Sequence, residues 1–390
     1  MSTNLFFKRK ITGIFLLMIL LYSIFASSFS TRAIEQDYTM DFDCESLILM
    51  EATTGTILYE KNSTKALPPA SVTKIMTLLI IMEEIEKGTL KYTDMISTSE
   101  YAASMGGSQI YLKEGELMSA EDMIKSVVIA SANDAAVALA EHISGSEDAF
   151  VKRMNEKAKE LGMKNTNFEN TNGLDDTTTN HLTSALDIAI MSKALLKHKD
   201  ILKYSSIWMD TIRNGEFGLT NTNRLVRFYQ GATGLKTGST NKAKFCISAT
   251  AERNGMHLIC VIMGAPTSDV RNKIATKLLD WGFANYELYH SEKEDLSPLR
   301  VKGGTEQWCQ ITAAPFSVVV KKGDAAKIQK KYILDDFIFA SVTKGQKVGE
   351  IKYTINGTNI GNSDITSSVT INEIDYWSLF IRILSKFLLK

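Results

Sequence analysis

Between Ser71 and Lys87 the chain is apolar on nearly every helical face, with Val72, Ile75, Met76, Leu78, Leu79, Ile80, Ile81, Met82 and Ile85 leaving no polar stripe for water. A helix of that kind is stable only at the centre of a fold, covered on all sides. Gly88, just past the last turn, is the residue type that closes helices in the left-handed conformation. Pro68-Pro69 keeps the helix from extending backwards, which puts Ser71 in its first turn. A fold that buries this segment must also accommodate the two polar residues at its entrance, Ser71 and Lys74.

The surrounding sequence supplies the cover. Ser46-Leu-Ile-Leu-Met50 and Thr56-Ile-Leu-Tyr59 flank Thr53-Thr-Gly55 and read as a β-hairpin. Helical patterns follow at 120–131, 133–143, 146–161 and 184–198. Three strand-like runs come next, 233–237, 245–250 and 258–263, the last two joined by the turn signal Arg253-Asn-Gly255. Residues 269–286 form a final amphipathic helix. Strands at both ends with helices between them predict an α+β domain around an antiparallel sheet, spanning 38–288. From 295 to 372 the runs 316–320, 338–342 and 349–355 alternate with Lys-Gly and Asn-Gly turns, which predicts a small all-β domain.

Both ends of the chain are different in kind. Lys8-Arg9-Lys10, the apolar run 11–25 and the small residues 26–30 have the layout of a secretory signal within 1–33. Cleavage after Ser28 and cleavage after Ala33 both fit, and an uncleaved anchor is the alternative. Residues 374–390 carry polar positions only at Asp375, Ser378, Arg382, Ser385-Lys386 and Lys390, so a helix here has a narrow cationic stripe and a wide aromatic-aliphatic face. Such a face suits a membrane interface; packing on its own domain is the alternative, but so wide an apolar face would need a large groove, which favours the membrane.

Composition excludes more than it assigns. Forty-four basic residues balance 44 acidic ones, so no electrostatic footprint for nucleic acid exists. The four cysteines (Cys44, Cys246, Cys260, Cys309) lack C-x-x-C spacing, which argues against a zinc or redox cluster and leaves a disulfide open. Neither H-E-x-x-H nor G-x-S-x-G occurs, and Gly231, Gly234 and Gly238 match no dinucleotide or phosphate loop. No metal or cofactor is expected.

Three short segments carry chemistry: Ser71-Val-Thr-Lys74, Ser131-Ala-Asn133 and Lys236-Thr-Gly238. Ser71 and Lys74 are three apart and share a helical face. A serine nucleophile needs a base, and lysine serves only when burial or a nearby cation lowers its pKa. Lys236, kept charged, is the candidate neighbour. Ser131 lies at a break between helices, where its hydroxyl suits a proton relay and the Asn133 side chain suits a substrate amide. Read alone, both residues are ordinary helix caps. Gly238 lies in a strand, where a glycine signals close approach of another backbone, here a peptide added along the edge. Thr237 and Lys236 then face a substrate carboxylate. Two backbone N–H groups, those of Ser71 and Ser239, are the candidate oxyanion donors.

These motifs, with Pro69-Ala-Ser-Val-Thr-Lys-Ile-Met-Thr77, Ala130-Ser-Ala-Asn-Asp-Ala-Ala136, Asn170-Thr-Asn-Gly-Leu174, Gly234-Leu-Lys-Thr-Gly-Ser-Thr240 and Lys344-Gly-Gln-Lys-Val-Gly349, resemble the D-alanyl-D-alanine carboxypeptidases among the low-molecular-mass penicillin-binding proteins. The resemblance spans about residues 40 to 390. It implies an exported enzyme at the outer face of the cell membrane, held by its C-terminal helix. The enzyme would remove the terminal D-alanine of peptidoglycan stem peptides through an acyl-enzyme on Ser71, and would be acylated there by β-lactams. Lys74 would accept the proton, Ser131 and Asn133 would form the second catalytic element, and Lys236, Thr237, Gly238 and Ser239 would bind substrate. Family members often place an arginine after the K-T-G strand to hold the carboxylate. His257 occupies that place in the sequence, with Arg253 as a substitute. A β-lactamase is less favoured, because Glu169 lies in a loop that the carboxypeptidases share. An endopeptidase acting on cross-links, and a non-catalytic β-lactam sensor, are the alternatives.

Overall fold

The computed structural model describes residues 41–388; the leader expected at 1–33 lies outside the described residues. The expected hairpin forms from Ser46–Glu51 (β1) and Ile57–Lys61 (β2). A 3-10 turn over Ala70–Thr73 then leads into the helix Lys74–Lys87 (α1), closed by Gly88 at φ 76°. Every residue of α1 from Lys74 to Met82 is buried. Each buried leucine, isoleucine or methionine contributes about 1.5–3 kcal/mol, enough in sum to offset taking the Lys74 side chain out of water.

Around α1 stand Ala120–Ile129 (α2), Asn133–Ser144 (α3), Glu147–Glu160 (α4) and Ala185–Leu195 (α5). Ser119, Ser146 and Ser184 start α2, α4 and α5 by accepting a main-chain N–H three residues on. The meander follows as Ala232–Thr240 (β3), Lys244–Arg253 (β4) and Met256–Ala265 (β5). The five strands make one antiparallel sheet in the order β2-β1-β5-β4-β3, so β3 is an edge. One face of this sheet shares a core with α1 to α5; the other is covered by Ser268–Asn285 (α6). Cys44, Cys246, Cys260 and Cys309 are buried free thiols.

The second unit is all β. Tyr286–Ser291 (β6) leaves α6 without a break and pairs with Phe316–Lys321 (β9). Between and beyond them lie Glu294–Lys302 (β7), Trp308–Ala313 (β8), Ile328–Leu334 (β10), Phe337–Phe339 (β11), Lys347–Ile355 (β12) and Thr358–Ser367 (β13), in a six-stranded sheet ordered β10-β12-β13-β8-β7-β11. The strand expected at 338–342 is shorter: it ends at Phe339, and Val342 makes only an isolated bridge to Ile371.

Tyr376–Leu388 (α7) closes the described chain. Arg382, part of the expected cationic stripe, donates to the carbonyls of Gly304 and Thr305 and so ties the helix to the β domain. Its apolar side remains open, with Trp377 69% and Phe387 78% exposed. Among the described residues no helix is long and apolar enough to cross a membrane.

Candidate active site

The entrance of α1, the α2–α3 junction and edge strand β3 converge on one cleft. Lys74 is fully buried, and its Nζ lies 3.0 Å from Ser71 Oγ, 2.6 Å from Asn133 Oδ1 and 2.7 Å from the Asn172 carbonyl. As an ammonium it donates to all three. As a neutral amine it keeps two hydrogens, which the two acceptor-only oxygens take, and its lone pair faces the Ser71 hydroxyl. Burial pulls the Lys74 pKa well below the usual lysine value, helped by the charge of Lys236 and opposed by that of Asp134. Asp134 is itself held by the N–H groups of Ile110 and Leu112.

The junction residues are not caps. The N-cap of α3 is Ala132, which makes no side-chain cap bond. Asn133 gives its carbonyl oxygen to Lys74 and one of its two amide hydrogens to the Gly106 carbonyl at 2.7 Å, which fixes the side chain and leaves the second amide hydrogen for the substrate amide expected from sequence. Ser131 takes a left-handed backbone, φ 65°, rare for a residue with a side chain. Its hydroxyl is buried without a hydrogen-bond partner among the described residues. A strained backbone presenting an unsatisfied hydroxyl is a common feature of reactive sites.

Lys236, Thr237 and Gly238 lie in the middle of β3. Lys236 is 1% exposed, and among the described residues its Nζ donates only to the Thr237 carbonyl at 3.2 Å. Burial, with the nearby Arg271 guanidinium, lowers its pKa to about 7, so the lysine expected to stay charged is poised to titrate. Thr237 Oγ1 donates to Thr222 Oγ1 at 2.7 Å. The reason for Gly238 also differs from the expected one. A Cβ there would come within 2.8 Å of the Pro69 carbonyl and 2.9 Å of the Ser71 and Val72 nitrogens. The backbone that approaches is the nucleophile's own turn. Gly173, at φ 87°, closes the opposite side, where a Cβ would overlap the Ala70 carbonyl.

His257 is not brought to this cleft. Lys236 aligns through Ser248 with Val261, four residues further along β5, or about 13 Å from His257. The buried imidazole meets Thr233 Oγ1 at 2.8 Å, and burial lowers its pKa to about 4. Arg253 lies in the same turn region against Asp280, at 3.3 Å. The cation that does approach is Arg271, which sequence reading missed. It sits in the first turn of α6, is 5% exposed, and donates from Nη1 to the carbonyl of Cys246, the residue paired with Gly238. Among the described residues Lys74, Lys236 and Arg271 form no ion pair with any carboxylate. Its signal in the sequence was a lone arginine at the start of an amphipathic helix, which nothing distinguished from a surface residue.

Two further residues support the turn. His181 Nδ1 accepts from the Glu169 N–H at 3.0 Å, leaving Nε2–H to donate to Thr73 Oγ1 at 2.8 Å, and Thr73 in turn donates to the Ala70 carbonyl. The Glu169 carboxylate accepts from the N–H groups of Thr179 and Asn180 and so caps its own loop.

Known proteins share this architecture. Residues 31–267 match the sequence profile of the D-alanyl-D-alanine carboxypeptidases, and 283–373 that of the penicillin-binding protein 5 C-terminal domain. The chain is similar to D-alanyl-D-alanine carboxypeptidase DacF of Bacillus subtilis, 41% identical over 94% of this chain and 96% of that one. It is also similar to DacC of Escherichia coli, 32% identical over 90% of each. Among solved structures, penicillin binding protein 5 from Haemophilus influenzae aligns over 87% of this chain and 100% of that one, with a TM-score of 0.76 and 31% identity. Penicillin-binding protein D2 from Listeria monocytogenes, in its ampicillin-bound form, aligns over 63% of this chain and 100% of that one, at TM-score 0.58 and 30% identity. With its first domain and its second both matched, and the relatives covered nearly end to end, the chain belongs to the D-alanyl-D-alanine carboxypeptidase family.

Proposed function

We propose that the chain is a serine-type D-Ala-D-Ala carboxypeptidase that removes the terminal D-alanine from peptidoglycan stem peptides. The observation that carries this reading is a cleft with three buried basic side chains, Lys74, Lys236 and Arg271, with no carboxylate paired to any of them among the described residues. Buried charge is costly unless compensated, so the cleft is built to receive an anion. The free carboxylate of a peptide supplies it, between Lys236, Thr237 and Arg271.

With the carboxylate there, the peptide lies as an added strand along β3 and its last amide reaches Ser71. Ser71 Oγ attacks the carbonyl of the penultimate D-alanine while Lys74, neutral, takes the hydroxyl proton. The N–H groups of Ser71 and Ser239 hold the oxyanion. As the C–N bond breaks, the Ser131 hydroxyl donates to the departing D-alanine amine and is reprotonated by Lys74, which returns to its neutral form; this gives the unpartnered hydroxyl a role. Water then hydrolyses the ester and frees Ser71. Asn133 holds Lys74 Nζ at 2.6 Å and keeps one amide N–H to donate to the substrate's amide carbonyl. A β-lactam, which carries an amide and a carboxylate in the same relation, acylates Ser71 by the same steps and stays there.

The catalytic unit is 38–288, the β domain 295–372, and 374–390 the segment that meets the membrane. The open aromatic face of α7, docked through Arg382, supports a helix lying in the outer surface of the bacterial cell membrane. The decisive assay is D-alanine release from a peptide ending in D-Ala-D-Ala, with the enzyme truncated before α7. The wild type releases it and Ser71→Ala does not; equal release from both would overturn the assignment.

A further inference from the structure

A cavity of about 630 Å³ adjoins the cleft beyond Ser239, between the loop carrying Asp175 and Asp176 and the β3–β4 hairpin carrying Lys242, Lys244 and Phe245. Its position along the substrate follows from the proposed carboxypeptidase reading, on which this inference rests. The carboxylate sits at Lys236 and the scissile carbonyl at Ser239, so the peptide runs antiparallel to β3. The residue before D-Ala-D-Ala therefore passes Ser239 and meets this cavity.

The walls carry opposite charges. The Thr240 hydroxyl donates to the Asp175 carboxylate, and Lys242 Nζ donates to the Asp175 main-chain carbonyl at 2.6 Å. These bonds hold loop and hairpin at a fixed separation. Asp176 is exposed and makes no hydrogen bond or ion pair among the described residues. Lys242 forms no ion pair, and Lys244 has only a long one to Glu45, at 3.8 Å. Phe245, half-buried, gives the cavity an apolar floor.

We propose that this cavity receives the side chain of the residue preceding D-Ala-D-Ala, and selects one ending in an ammonium and a carboxylate over one ending in an ammonium alone. The methylenes cover Phe245, the ammonium faces Asp176, and the carboxylate faces Lys242. A lysine side chain satisfies Asp176 and leaves Lys242 without its anion.

Three N-acetyl-X-D-Ala-D-Ala peptides test this, with X meso-diaminopimelate, lysine or norleucine, by kcat/KM for D-alanine release. Partly exposed charge pairs give modest gains, so the diaminopimelate peptide is favoured over the lysine peptide by about fivefold. Lys242→Met removes that gap, and Asp176→Asn brings both cationic peptides down toward the norleucine one. Melting midpoints and penicillin acylation rates report that the variants are folded. Equal kcat/KM for all three peptides in the wild type, or a gap that survives Lys242→Met, would overturn the subsite while leaving the carboxypeptidase intact. No release from any peptide would overturn the carboxypeptidase reading and the subsite with it.

Discussion

The two units of this chain handle charge in opposite ways. In the β domain lysines sit at the surface beside carboxylates: Lys330 lies 3.3 Å from Glu294, and Lys347, 52% exposed, lies 2.5 Å from Asp364. Such pairs are screened by water and contribute little to stability. In the catalytic unit Lys74, Lys236 and Arg271 are buried with no carboxylate paired to them among the described residues. That arrangement destabilises the free protein, and in the proposed function a substrate carboxylate completes it. The apolar surface of α1 and the sheet supplies the stability that the cleft gives up.

The contrast is sharpest at Lys236. Lys236→Met lowers kcat/KM for D-alanine release by on the order of 100-fold, because the carboxylate loses a buried cationic partner. The same substitution raises unfolding free energy by roughly 1–4 kcal/mol, as buried charges replaced by apolar groups of similar volume often do. The sign follows from the folded pKa of about 7, below the unfolded lysine value of 10.5. The unfolded chain holds this proton more tightly, so the stability cost is complete below pH 7 and disappears as pH rises toward 10.5. Urea titrations of both proteins across that window check it; a variant no more stable than wild type at pH 7 would contradict the contrast.

Gly238→Ala comes next. Its Cβ meets backbone atoms at 2.8–2.9 Å, which cannot swing aside, so β3 and the Ser71 turn must separate. Acylation by penicillin slows by about tenfold or more, with stability falling by about 1–3 kcal/mol. Stopped-flow acylation and thermal melts measure both. The smallest effect is expected at the surface: Lys330→Met shifts unfolding free energy by less than about 1 kcal/mol and leaves kcat/KM unchanged. A larger shift would mean that the β-domain pairs are not the inert partners their exposure implies.

Much of this was legible in the sequence, for identifiable reasons. The all-round apolar helix ending at Gly88, the hairpin and the meander follow from local periodicity and turn residues, which pairing in the sheet then only confirms. Ser71 and Lys74 are neighbours because both lie on one short segment. What stayed hidden depends on crossings between distant segments. The Asn172 carbonyl that fixes Lys74 is backbone and leaves no side-chain signal. The Gly106 carbonyl that anchors the Asn133 amide lies 27 positions upstream and is likewise backbone. His257 was placed by its strand, yet register carries it to the wrong end of the sheet. Arg271 arrives from a helix on the far face, by a route that only the packing of α6 against β4 reveals.

The pH dependence of kcat/KM for D-alanine release, measured for wild type and Lys236→Arg, tests most directly whether burial tunes these two lysines to opposite roles. Activity rises with pH as Lys74 loses its proton and falls again near pH 7 as Lys236 loses its own. An arginine stays charged throughout, so in Lys236→Arg the alkaline limb moves upward by at least about two pH units while the acid limb stays. The same alkaline limb in both proteins would show that Lys236 is not the titrating cation and that the cleft does not work as described.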